Sequence, residues 1–389
     1  MRFCRLTKTS CAILLAVSLV PAFVMLYMKN LTAQSALLIR VGDRFVDARS
    51  GKTIAQLPIS GKFQALETKS SSRIVAVKNP IGVLAAGGNT AYLLEGEKIS
   101  CAFSLPSGTI SAFAVSDDET DVAIAGVDSN HCSIYLLQRR GNGYSLVQYL
   151  EPLGKPVMIS HLAFSPSNRF IAVACLESED PEKEEGILIV DVIKGNWRDL
   201  ALGRRPYFLT DTVLIYERNS RTQSQDVLER NNCMVVGHNL LSGIVVTLSQ
   251  GTNLSPSPCR TMYYASSSKY TLEGEIREMP LPFCGSTKIV AKIENPTKPS
   301  QEDSPFVFPF TPLLAAWSPD SRCLALASDR YVATFGGKVL DSGEMVATSE
   351  VYVYDLQKQR ICALYRTKHN DRSVIPTIGF LSAVSWTEQ

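Results

Sequence analysis

"AAWSPDSRCLALAS", Ala315 to Ser328, sets two alternating apolar runs on either side of a Ser-Pro-Asp turn. The pattern returns. "AFSPSNRFIAVAC" (Ala163 to Cys175) aligns without a gap on "AWSPDSRCLALAS" (Ala316 to Ser328), and further copies begin at Ala114 ("AVSDDETDVAIAG") and Ala65 ("ALETKSSSRIVAV"). The first three starts are 49 residues apart, and the step from Ala163 to Ala316 is close to three times that. Period-two alternation on both sides of a polar turn predicts two adjacent antiparallel strands. Pro166 and Pro319 fix φ at the first corner of that turn, and Ser165 and Ser318, with Asp320 or Asn168, are placed to cap its free backbone groups.

A second signal follows each copy. "RFVDARSGK" spaces Asp47 four residues before Gly51, "LIVDVIKGN" does the same with Asp191 and Gly195, and "VGHNLLSGI" with Asn239 and Gly243. "VYVYDLQKQR" has Asp355 with Gln359 in the glycine place. An Asp or Asn closing one strand, then a residue that tolerates positive φ, is a short hairpin connection. Each unit therefore reads as four strands.

Repeated four-stranded units of 40 to 50 residues predict an all-β fold, a β-propeller. The units fall at 63–105, 108–152, 156–202, 203–249, 250–295 and 305–366, with one more divided between the chain ends. "LSAVSWTEQ" at the carboxyl end matches the strand before the turn in "LLAAWSPDS", Trp386 over Trp317. "ALLIRVGDRFVDARSGKTIAQLP", Ala36 to Pro58, holds only the later strands of a unit. Pairing the two ends would give seven blades in a closed ring with no open sheet edge. The signal is weakest at 203–249 and 250–295, which leaves six or eight blades as alternatives.

The residues carrying this pattern resemble the WD-repeat-like and TolB-type β-propeller repeats, whose units read roughly "a-w-S-P-D-g-r-x-l-a" and then "i-y-v-x-D-l-x-t-G". The likeness is strong over 156–202 and 305–366, fair over 36–58 and 108–152, and covers about half the chain. The Trp-Asp dipeptide appears as Val190-Asp191 and Tyr354-Asp355, and the upstream Gly-His pair is missing, so the resemblance is to the looser superfamily. It implies an interaction platform.

The first thirty residues are different. Arg2, Arg5 and Lys8 precede the uncharged run "CAILLAVSLVPAFVMLYM", Cys11 to Met28, which as a helix would span roughly 27 Å. Residues 1–30 are expected to be a signal anchor with a cytoplasmic amino terminus, or a signal peptide cut near "TAQSA", and 36–389 the propeller domain. The propeller is then extracytoplasmic: membrane-tethered in the first case, periplasmic or secreted in the second.

With 39 Lys and Arg against 37 Asp and Glu, the net charge of +2 offers no global field for nucleic acid. Cys101, Cys132, Cys175, Cys233, Cys259, Cys284, Cys323 and Cys362 contain no C-x-x-C pair, so no zinc ribbon or thioredoxin-type motif is written here. Buried thiols are the simpler reading, with disulfides the alternative if the chain is exported.

Other motifs resolve into turns. "RSGKT" (Arg49 to Thr53) ends like a phosphate-binding loop, but Val46 occupies the position where that loop requires glycine. No G-x-S-x-G elbow and no H-E-x-x-H helix is present. His131, His161, His238 and His369 are scattered, His161 being placed to face a channel. "SDDETD" (Ser116 to Asp121) lacks calcium-loop spacing and aligns with the Ser-Pro-Asp turns. "ESEDPEKEEG" (Glu177 to Gly186) is an acidic insertion suited to solvent or a basic partner. "ENPTKPSQEDSPFVFPFTP" (Glu294 to Pro312) is linker-like, with Phe306, Phe308 and Phe310 placed to pack at a channel mouth or dock a partner. "TFGGKVLDSGEM" (Thr334 to Met345) is a rim loop.

The expected function is a non-catalytic, membrane-tethered propeller that binds a protein or peptide on its rim and exists as a monomeric ring. No catalytic, cofactor-binding or metal-ligating residue is assigned, and no cofactor. The recognisable inner strands, "SHLAFS", "LLAAWS" and "LSAVSW", are mainly small and apolar. The alternatives are a propeller enzyme, calcium-dependent lactonase-type or quinoprotein-like, and a soluble periplasmic accessory of TolB type.

Overall fold

The computed structural model describes Ala36 to Thr387 apart from 42–43, 48–51, 57–62, 66–73, 79–89, 96–97, 129–130, 142, 153–157, 177–184, 220–232, 268–272, 280–286, 295–305, 310–313, 319, 334–344 and 371–380. The expected helix within residues 1–30 lies outside the described residues. Every element within them is a β-strand, and no helix there is long and apolar enough to cross a membrane.

The strands form antiparallel sheets in chain order. Sheet 1 contains β1 (Ala36–Val41), β2 (Arg44–Asp47) and β3 (Thr53–Gln56). Sheet 2 is β4 (Phe63–Ala65), β5 (Ile74–Lys78), β6 (Thr90–Glu95) and β7 (Lys98–Ser104). Sheet 3 is β8 (Thr109–Val115), β9 (Asp121–Asp128), β10 (His131–Arg140) and β11 (Gly143–Leu150). Sheet 4 is β12 (Met158–Phe164), β13 (Phe170–Leu176), β14 (Gly186–Asp191) and β15 (Asn196–Leu202). Sheet 5 is β16 (Arg204–Thr210), β17 (Val213–Asn219), β18 (Cys233–Asn239) and β19 (Val245–Gln250). Sheet 6 is β20 (Thr252–Pro256), β21 (Met262–Ser266), β22 (Gly274–Glu278) and β23 (Ile289–Ile293). Sheet 7 has five strands, β24 (Phe306–Pro309), β25 (Leu314–Trp317), β26 (Cys323–Ala333), β27 (Met345–Asp355) and β28 (Arg360–Asn370). The last strand, β29 (Leu381–Thr387), returns to sheet 1 and pairs with β1 in the register Ala36↔Thr387 and Leu37↔Trp386. The two ends of the chain thus share one sheet, as the split repeat predicts.

Neighbouring sheets pack face to face. β8 meets β12, β12 meets β16, β17 and β18 meet β20, β20 meets β25, β25 meets β29, and β29 meets β4. Burial on both faces explains why β13 is apolar along its length. Ile171, Val173 and Cys175 join Ala123, Ile134 and Leu136 of sheet 3 in one core. Ala172, on the other face, joins Phe208, Leu214 and Tyr216 of sheet 5 in the next. Small residues on one face let the large side chains of the neighbour approach, and each fully buried Val or Ile contributes roughly 1.5–3 kcal/mol.

Strand polarity then defines two faces. Connections from first to second strand and from third to fourth lie on one, here the turn face. Connections from second to third strand, and those between sheets, lie on the other, the loop face.

The turn chemistry matches its sequence signal. Ser116, Ser165, Ser257 and Ser318 each accept the amide three residues on, from Glu119, Asn168, Arg260 and Ser321. Those four residues have φ between 57° and 61°. Ser165 and Ser318 also cap with their hydroxyls, accepting the amides of Phe170 (3.1 Å) and Cys323 (2.9 Å). Asn168 departs from expectation: its side chain crosses to sheet 3 instead of capping its own turn. Pro319 lies outside the described residues. At the outer turns the Asp191 carboxylate accepts the amides of Ile193 and Lys194, and Asn239 and Asp355 repeat the arrangement.

Candidate functional site

The inner strands of sheets 5 and 6, which are not among the three that the sequence reads as mainly small and apolar, are polar where they begin, and they hold the candidate site. β16 begins "RRPYFLT" and β20 reads "TNLSP". Both start on the loop face, and each carries a bulge near its start. Gly203 lets β16 start close against β17, because a Cβ there would lie 2.6 Å from the Tyr216 ring and 2.7 Å from the Glu217 carbonyl. Arg204 is thereby set beside Glu217.

Glu217 is fully buried. Its carboxylate accepts from Arg204 Nε (2.8 Å), Thr252 Oγ1 (2.9 Å), the Leu254 amide (2.7 Å) and, at 3.4 Å, Arg205 Nη1. Burial alone pushes its pKa up, but the two guanidinium groups and the Leu254 amide outweigh that and hold it below the usual carboxylate range. Arg205 also donates to Asn253 Oδ1 at 2.7 Å, and Asn253 Nδ2 donates to Ser266 Oγ at 2.9 Å. The network ties sheet 5 to sheet 6.

Two features go beyond a structural tie. Arg205 and Asn253 both adopt left-handed backbone, φ 49° and 55°, a conformation costing an arginine about 1–2 kcal/mol. The Arg204 and Arg205 side chains are also about a third exposed, and among the described residues Arg204 Nη1 and Arg205 Nε and Nη2 make no hydrogen bond. Both guanidinium groups bond the Glu217 carboxylate, the Glu185 charge also acts on Arg204, and among the described residues the cluster presents unused N–H donors to the loop face.

His161 belongs to the same neighbourhood. It lies within β12, with its ring 4.9 Å edge-on from Tyr207 of β16. Its Nε2 is buried with no hydrogen-bond partner among the described residues. Burial and the Arg205 charge lower its pKa to about 4 against an opposing pull from Glu217, so the imidazole is neutral at physiological pH.

On the turn face, polar side chains link the inner turns to one another. Asn168 Nδ2 donates to both Asp118 oxygens (3.2 and 3.3 Å) and to Asp121 (3.1 Å). Burial raises the Asp118 pKa, but hydrogen bonds from Ser116, Thr120 and Asn168 prevail and hold it at about 2. The "SDDETD" turn is therefore partly sequestered by its neighbour. The Ser167 amide donates to Asp211 at 3.0 Å, and Arg260 forms an ion pair with Asp117.

The remaining expectations divide. Cys132, Cys175 and Cys233 are buried, Cys323 is half-buried and Cys101, Cys259 and Cys362 are exposed, none of the seven in a disulfide, and Cys284 lies outside the described residues. His131 is exposed and His238 buried, well apart in the strand order; the side chain of His369 lies outside the described residues. Most of the acidic insertion, Phe310, and most of Thr334 to Met345 also lie outside, as do the side chains of Phe306 and Phe308. Among the described residues no group of three His, Cys, Asp or Glu could hold a metal ion. The doubled arginine at the start of the weakest repeat was the available signal for the site.

No protein-family model and no curated protein matches this sequence. Solved structures do. A protein from Lactobacillus plantarum matches with TM-score 0.51 and 11% identity, over 91% of this chain and 99% of that one. An oligogalacturonate lyase from Vibrio parahaemolyticus matches with TM-score 0.50 and 11% identity, over 85% and 86%. TolB from Acinetobacter baumannii matches at TM-score 0.43 and 13% identity, over 76% of this chain and 62% of that one. This chain thus spans less than two thirds of the TolB chain. At such identities the likeness is one of fold, and it agrees with the repeat: the chain is a β-propeller.

Proposed function

We propose that this protein is a non-catalytic interaction propeller, its seven sheets acting as seven blades closed into a ring by the shared terminal sheet. It is held to a membrane through residues 1–30 with the propeller extracytoplasmic, and it takes a protein or peptide partner on the loop-face rim. The observation that carries this is the Arg204–Glu217–Arg205 cluster. Its carboxylate is saturated with donors and kept ionised, which suits neither a general acid nor a base near neutral pH. Among the described residues its guanidinium groups retain N–H donors without an acceptor, which suits a carboxylate carried by a partner.

In-situ crosslinking and affinity capture test this, comparing the native chain with Arg205→Gln and with Arg360→Gln on the opposite face. The expected result is one stoichiometric partner, lost in the first variant and kept in the second, with both variants folded. Retention by both variants would remove the cluster from the interface. A bound metal or a quinone chromophore in the purified protein would replace the reading with a propeller enzyme.

A further inference from the structure

The strand order fixes where the chain enters the propeller. β2 runs toward the Asp47 turn, on the turn face, so its antiparallel neighbour β1 begins on that face, as its pairing of Ala36 with Thr387 requires. Only residues 29–35 separate the apolar run from β1. Seven residues reach at most about 25 Å. An inner strand of seven residues is itself about 23 Å long and neighbouring strands stand about 4.8 Å apart; because β1 lies two strands inside the outer edge of its sheet, a path around that edge and down to the loop face is longer than the linker, which cannot bring that face to the bilayer.

A second observation is independent of the linker. Ile193 and Leu241 are 78% and 81% exposed, and Ile244 is 57% exposed. They occupy the equivalent outer turns of sheets 4 and 5, on the turn face. In the order of sheet contacts, sheets 4 and 5 lie across the ring from sheet 1, where the chain enters. The outer turns also expose Arg140, Lys194, Lys288, Lys358 and Arg360 against Glu278, while Asp117, Asp118 and Asp320 are exposed on the inner turns of the same face. Apolar tips among basic ones match the interface of an anionic bilayer.

We infer that the turn face lies flat on the membrane surface, tethered at sheet 1 and seated at the opposite side by Ile193, Leu241 and Ile244, so that the loop face with Arg204 and Arg205 points away from the bilayer. This rests on the membrane tether proposed above.

The test uses the full chain reconstituted into vesicles of phosphatidylcholine with a minority of phosphatidylglycerol, a fraction of the lipid brominated. Three variants are compared, Ile193→Trp and Leu241→Trp on the turn face and His131→Trp on the loop face, each checked for an unchanged melting curve. Carbonate-resistant flotation reads the tether separately. The expected result is that the protein floats, that the emission added at 193 and 241 is lost to bromine, and that the emission added at 131 is retained. Flotation with quenching at 131, or at none of the three, would overturn the orientation and leave the tether standing. Failure to float would overturn the tether, and the orientation with it.

Discussion

Arg260 of sheet 6 pairs with Asp117 of sheet 3, although neither sheet neighbours the other. On its way the guanidinium donates through Nη1 to the Leu209 carbonyl of sheet 5 at 3.3 Å. The two inner turns are thus bridged over the intervening sheets on the turn face. Arg260→Ala is expected to lower unfolding free energy by about 1–2 kcal/mol, because it removes the donor to Leu209 and one partner of a half-sheltered pair. Arg322→Ala, on an exposed side chain in sheet 7, should change it by no more than about 0.5 kcal/mol. Urea unfolding of both variants would check the contrast, and equal losses would demote the bridge.

Glu217 is the acceptor on which sheets 5 and 6 converge. Glu217→Gln leaves the partly exposed guanidinium of Arg204 without its counter-charge, and a loss of about 2–3 kcal/mol is expected, below the range for a fully buried pair. Thr252→Val removes the hydroxyl that donates to the same carboxylate and accepts from Arg204 Nη2 at 3.1 Å, and should cost about 1–2 kcal/mol. Because folding lowers the Glu217 pKa, the stability it supplies is fully present above the unfolded carboxylate range, near pH 4.3, and is lost as pH falls through the folded value. Acid titration of Glu217→Gln should lack that part of the native decline.

His161 sets a second, higher window. An imidazole held neutral to about pH 4 in the fold but titrating at about 6.5 when unfolded binds more protons in the unfolded state between those values. Stability is therefore complete above pH 6.5 and falls toward pH 4, by about 3 kcal/mol for this depression. Substituting His161→Phe should flatten the slope between pH 6.5 and 4 in guanidinium melts. A slope unchanged by the substitution would mean that the ring is already protonated in the native state.

The shared terminal sheet gives a prediction of its own. Removing residues 381–389 takes β29 from β1 and strips the contacts that β25, β26 and β4 make with it. The exposed edge of β1 would then be free to pair with other chains. A lower melting temperature and concentration-dependent aggregation by light scattering are expected.

What the sequence disclosed follows from how each sheet is packed. Sheets 4 and 7 carry the repeat clearly because β13 and β26 alternate small and branched residues between two neighbours. Sheet 6 carries "SPCR" at Ser257 to Arg260, a turn with the same backbone as Ser165 to Asn168, but Tyr263 stands in the place of Ile171 and Tyr264 in the place of Ala172, so the branched-small alternation that marks the strand elsewhere is lost. Sheet 5 joins its first two strands through a tight connection at Asp211 and Thr212, so the Ser-Pro-Asp signature is missing altogether. The site was hidden for the same reason. Arg204 and Arg205 stand where other repeats have apolar or small residues, and nothing local announces that Glu217 and Asn253 will meet them, since those contacts depend on how strands and sheets stack.

The outer turns supply a controlled comparison. Gly195 and Gly243 sit at φ 67° and 71°, each donating its amide back to the residue four earlier, and Gln359 holds the same position at φ 48°. A side chain pays a steric penalty in that region which glycine does not. The Asp355 carboxylate already caps the turn through the Gln357 and Lys358 amides, both at 3.0 Å, so the frame does not need the glutamine. Gln359→Gly should therefore raise stability by up to about 1 kcal/mol, less what glycine adds to unfolded-chain entropy, while Gly195→Gln should lower it by a similar amount. Thermal melts of the two variants would show shifts of opposite sign. Shifts of the same sign would mean that contacts made by the side chain, and not its backbone conformation, govern this position.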